Sequence, residues 1–85
     1  MEVNLEIQPY SREHGIRLTW YPDFEITCKE DHGAILIQAN ADGLKSLANL
    51  CLTLAQDTAP IHSHVHLDEY NSLEDGSMEL IISKV

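Results

Sequence analysis

The sequence predicts an α+β fold, a mostly antiparallel sheet of about five to six strands with one α-helix packed on one face, in the order β-β-β-β-α-β-β. Apolar residues recur at every second position in several short segments, which is the pattern of strands with one buried face. One longer segment after Asn40 carries apolar residues at helical spacing. Turn-forming pairs such as Pro22-Asp23 and Asp75-Gly76 punctuate the segments.

The first strand is expected at Val3, Leu5 and Ile7, alternating with Asn4, Glu6 and Gln8, and Pro9 limits its continuation. After "YSREHG" the pattern returns as Ile16, Leu18 and Trp20 against Arg17, Thr19 and Tyr21. "YPDF" turns the chain, and Phe24, Ile26 and Cys28 then alternate with Glu25, Thr27 and Lys29. "KEDHG" makes a second turn. "AILIQA", Ala34 to Ala39, is apolar on both faces and reads as the most buried, central strand.

Asn40 is placed to cap a helix, because its side chain can accept from unpaired amides of the first turn, and Asp42 meets the helix dipole favourably there. Leu44, Leu47, Ala48, Cys51, Leu54 and Ala55 form the expected buried stripe, with Lys45, Asn49 and Gln56 off it. Burial of such leucines contributes about 1.5–3 kcal/mol each. On this reading Leu44→Asp or Leu47→Asp unfolds the chain. Pro60 ends the helical region, and Ile61, Val65 and Leu67 then line one side of a fifth strand. Met78, Leu80 and Ile82 alternate with Glu79, Ile81 and Ser83 in the last. The helix between the fourth and fifth strands permits one parallel pair, so the sheet is mixed or antiparallel with its order open.

Eighty-five residues, 44% hydrophobic and 22% charged, suit one folded domain spanning 1–85. Fourteen acidic residues against five basic give a net charge of −9. That balance opposes direct nucleic-acid binding, which needs clustered Lys and Arg, and opposes anionic membrane surfaces for the same reason. A basic protein partner is favoured, chiefly through faster encounter. With no basic segment followed by an apolar run at the N-terminus and no apolar stretch of spanning length, the chain reads as cytoplasmic. Cys28 and Cys51 lack the spacing of a redox or zinc motif, and both are expected as buried free thiols.

The stretch "HSHVHLDEY" carries His62, His64, His66 and Asp68 at alternate positions, so on a strand all four share a face. Residues two apart lie about 6.5–7 Å apart, close enough for His64 and His66 to converge on one ion. Zinc requires a third or fourth ligand from Asp68, His62 or a neighbouring strand. The alternative to this metal-binding or metalloenzyme reading is an exposed polar sheet face. A thiol–imidazole pair is disfavoured, because Cys28 shares the face of Phe24 and Ile26 and points away from the histidines. Neither a phosphate-cradling glycine loop nor a Ser–His–Asp signature is present, and no catalytic residue is assigned. The following loop sets Tyr70, Asn71 and Leu73 among Asp68, Glu69, Glu74 and Asp75, an aromatic anchor ringed by acids that a basic partner can use.

The C-terminal half, "LANLCLTLAQDTAP" running into "HVHLDEYNSLEDGSMELIISK", resembles the immunity protein 32 family of bacterial polymorphic toxin systems over about Ala39 to Lys84. The resemblance implies a small cytosolic antitoxin that binds and neutralises a toxin domain without catalysis. It implies no cofactor and supplies no catalytic or metal-binding residue. The partner-binding candidates Asp68, Glu69, Tyr70, Asn71, Glu74 and Asp75 rest on the loop's chemistry, with a homodimer as the other contact to consider.

Overall fold

The computed structural model describes residues 1–85. It contains β1 (Ile26–Asp31), β2 (Ala34–Ala39), α1 (Ala41–Leu54), β3 (His64–Leu67) and β4 (Leu80–Ser83). The class is α+β, but the sheet differs from expectation: β1-β2 and β3-β4 are two separate two-stranded antiparallel sheets. The predicted strands at Val3–Ile7 and Ile16–Trp20 do not form, and residues before β1 contain only an isolated bridge between Ser11 and Gly15.

The helix explains why. Its side chains take backbone groups of the N-terminal segment that a strand ladder would otherwise use. The Asn49 Nδ2 group donates to the Glu6 carbonyl at 2.7 Å, and Gln56 Nε2 donates to the Gln8 carbonyl at 3.0 Å. In return, Tyr10 N–H donates to Gln56 Oε1 at 3.1 Å and Tyr21 N–H to Ser46 Oγ at 2.9 Å. Alternating apolar residues still turn inward: Ile16, Leu18, Trp20 and Phe24 pack against the core, and the Trp20 and Phe24 rings stack at 4.8 Å. The apolar period therefore marks burial here without a sheet.

The same contacts rotate the helix from its expected orientation. Its buried residues are Gly43, Ser46, Asn49, Leu50, Thr53 and Leu54, with Leu47 half-buried. Leu44 is 56% exposed, and Cys51 is an exposed thiol where the sequence predicts a buried one. Cys28 is buried as expected. The buried polar groups are matched internally: Ser46 Oγ donates to the Asp42 carbonyl and Thr53 Oγ1 to the Asn49 carbonyl. Without those partners their burial would cost several kcal/mol, roughly 1–3 per group.

β1 and β2 form a hairpin in register Ile26↔Ala39 through Asp31↔Ala34, closed by His32 and Gly33 with φ of 51° and 84°. Two successive positive φ values match the right-handed twist of a two-residue hairpin turn. β2 is an edge strand and not the central one, because it pairs with β1 alone, and Ile35 and Ile37 on it are exposed. The core gathers Ile26, Cys28, Leu50, Leu54, Leu67 and Leu73. The segment after Leu73 closes the other edge of β1, with Glu74 N–H donating to the Ile26 carbonyl and Met78 N–H to the Cys28 carbonyl, both at 2.9 Å. It joins the two hairpins through a loop without a continuous sheet.

Candidate partner-binding surface

β3 and β4 pair in register His64↔Ser83 through Leu67↔Leu80. Val65 and Leu67 turn toward the core, so His64 and His66 lie on the outer face with Ile81 and Ser83 opposite them. Their rings meet edge-on at 5.0 Å. His66 Nδ1 lies 3.5 Å from Glu79 Oε2, while His64 Nδ1 is 3.0 Å from the His62 carbonyl.

His62 breaks the expected row. It precedes β3 with φ of 76°, a left-handed conformation, and its N–H donates to the Lys84 carbonyl at 2.8 Å. Asp68 lies just beyond the strand, where Oδ1 accepts the Tyr70 N–H at 2.9 Å. No group of three or more His, Cys, Asp or Glu side chains is placed to hold a metal ion.

The loop after β3 is built on Asp68 and Asn71. The Asp68 carbonyl accepts from Asn71, Ser72 and Leu73 N–H groups, the last at 2.8 Å. Asn71 Oδ1 accepts the Asp68 N–H, and Asn71 Nδ2 donates to the His66 carbonyl, each at 3.0 Å. Glu69 Oε2 accepts the Gly76 N–H at 2.8 Å, drawing the two ends of the loop together. Asx side chains bonding their own backbone in this way fix a turn without regular structure. Leu73 is thereby buried in the core, whereas Tyr70 is 90% exposed, with Glu74 and Asp75 also exposed.

Two hollows adjoin these elements. A polar one of about 310 Å³ is lined by Glu25, Thr27, Gln38, Ala39, Asn40 and Glu74. It lies on the hairpin face opposite Cys28 and brings Glu74 of the loop near β1 and β2. Glu25 and Glu74 are distant in sequence, and the bond from Glu74 N–H to the Ile26 carbonyl helps to bring them together. A smaller, mainly apolar hollow of about 210 Å³ has Cys51, Leu54, Ala55 and Ile82 in its wall. Lys84 borders it, but its Nζ is committed to the Gln56 and Ala59 carbonyls at 2.7 and 2.9 Å.

The family model for immunity protein 32 matches residues 34–85. The chain belongs to the immunity protein 32 family. The match covers more than half of the chain and reaches from β2 to the C-terminus, so it includes α1, both strands of the second hairpin and the whole Tyr70 loop. Membership in an immunity protein family implies a protein partner and a role without catalysis. No curated protein and no solved structure matches the chain. No helix of this immunity protein 32 member is long and apolar enough to cross a membrane.

Proposed function

We propose that the chain is a cytoplasmic, non-enzymatic immunity protein that binds and neutralises a basic bacterial toxin domain, with the loop from Asp68 to Asp75 as its principal contact. The observation that carries this reading is Tyr70, 90% exposed on a loop whose backbone is held by Asp68, Glu69 and Asn71. A large aromatic presented on a braced loop loses little conformational freedom on binding, so more of its contact energy is realised as affinity. Glu69, Glu74 and Asp75 surround it with negative charge, and the net charge of −9 attracts a basic partner over distance.

Co-expression with the toxin domain encoded by the adjacent gene tests the reading. Growth should be restored, and purified chains should form a stoichiometric complex. If every adjacent toxin domain gives neither protection nor complex, the proposal fails.

A further inference from the structure

We propose that the free edge of β2 pairs with an extended, amphipathic strand of the basic partner, which becomes the third strand of the β1-β2 sheet. This inference rests on the reading of the chain as an immunity protein and specifies how its partner is held.

The hydrogen-bond phase of the hairpin defines the edge. Asn40 N–H donates to the Glu25 carbonyl at 3.1 Å, so every second pair in the register faces inward: Thr27 with Gln38, Lys29 with Leu36, Asp31 with Ala34. Ile35 and Ile37 therefore turn their N–H and C=O groups away from β1. The far side of β1 confirms the phase, since the Ile26 and Cys28 carbonyls point outward and accept from Glu74 and Met78. One edge of the sheet is closed by its own chain, and the other is open.

The open edge lacks the usual protection. Strand edges are normally blunted by charge, proline or a bulge. The segment "AILIQA" has neither charge nor proline, and its register with β1 is unbroken. Ile35 and Ile37 also expose 61% and 41% of their surface, on the face where Ile26 and Cys28 are buried. An added strand with apolar residues on that face would cover both isoleucines while satisfying their backbone groups.

Charge selects the occupant. A second copy would bring another net charge of −9 to the same edge. A basic strand meets the opposite situation. Lys or Arg side chains on its polar face would project over Gln38 toward the hollow lined by Glu25 and Glu74. Glu74, which belongs to the loop that carries Tyr70, also lines that hollow.

Two measurements on the full chain test the inference. In the first, amide NMR follows titration with a short blocked peptide of alternating lysine and valine. Shifts centred on Ile35 and Ile37 are expected, with loss of binding when alternate peptide amides are N-methylated or when glutamate replaces lysine. Absent binding, binding centred elsewhere, or self-association through β2 would overturn the inference. In the second, the adjacent toxin domain is titrated into wild type, Ile35→Pro, Ile37→Pro and Ile37→Val. The N–H groups that these prolines remove face outward, and the valine variant controls for a trimmed side chain, so melting temperatures should hold while affinity falls at least about tenfold, with the valine variant close to wild type. A wild-type complex that the prolines leave unchanged rejects the edge but keeps the immunity reading. No wild-type complex rejects both, even if the peptide binds.

Discussion

Asn40 joins Glu25 at the root of the first hairpin through two reciprocal bonds: Asn40 N–H donates to the Glu25 carbonyl at 3.1 Å, and Glu25 N–H donates to Asn40 Oδ1 at 3.0 Å. The same Oδ1 accepts the Gly43 N–H at 2.8 Å as the helix N-cap, and Nδ2 donates to the Asp23 carbonyl. One side chain therefore fixes hairpin, helix and the preceding turn. Asn40→Ala should cost about 2 kcal/mol, the upper end for loss of an N-cap, because more than the cap is removed. Asn40→Asp keeps the acceptor and should lose less. Chemical denaturation of both variants checks the order.

Gly43 is the point at which α1 approaches the hairpin. A Cβ there would lie 2.5 Å from the Glu25 carbonyl oxygen and 3.0 Å from both Ala39 Cβ and Ile26 Cγ1. Alanine normally favours a helix interior over glycine by about 1 kcal/mol. Here the nearest obstacle is backbone, which cannot turn aside, so Gly43→Ala should destabilise the chain by roughly 1–3 kcal/mol, as overpacking does. A melting temperature at or above wild type would refute the close approach.

Leu50 is 1% exposed at the centre of the core, and Leu44 faces outward. Leu50→Ala should therefore cost about 2–5 kcal/mol. Leu44→Asp, expected from periodicity alone to unfold the chain, should instead cost less than about 1 kcal/mol, as substitutions at exposed positions usually do. Denaturation midpoints compared at constant m-value distinguish the two.

What was legible in the sequence follows from where each signal originates. The cap at Asn40, the His32-Gly33 turn and the hairpin it closes are local, and local chemistry decided them. Leu73 and Tyr70 sit in one loop and have opposite fates, which depend on contacts with β1 that no periodicity encodes. The helix stripe misled because Ser46, Asn49 and Thr53 are polar yet buried: Ser46 and Asn49 find partners at Tyr21 and Glu6, far earlier in the chain, Thr53 finds its own at Asn49 one turn back, and the hydrophobic pattern counts only apolar side chains. β2 looked central because apolar residues on both faces usually mean cover on both faces. Its exposed isoleucines reverse that inference and turn the same feature into a candidate contact. The histidine row is interrupted at His62, whose left-handed conformation lies two residues before β3 begins.

The Tyr70 loop gives a kinetic prediction that separates anchor from steering. Tyr70 has almost no contact with the core, so Tyr70→Ala should leave stability within about 0.5 kcal/mol of wild type. At the centre of an interface, its truncation should weaken the toxin complex by about 2 kcal/mol or more, mainly through faster dissociation. Glu74 and Asp75 are exposed on the same loop, and their charges act before contact is made. The double variant Glu74→Lys/Asp75→Lys should therefore slow association, most strongly at low ionic strength, where the Debye length reaches about 30 Å at 0.01 M salt against about 8 Å at 0.15 M. Its dissociation rate should change less than that of Tyr70→Ala. Surface-captured binding kinetics at both salt concentrations, with thermal melts as the folding control, measure each quantity. Unchanged rates in both folded variants would remove the loop from the interface and leave the β2 edge as the contact to test.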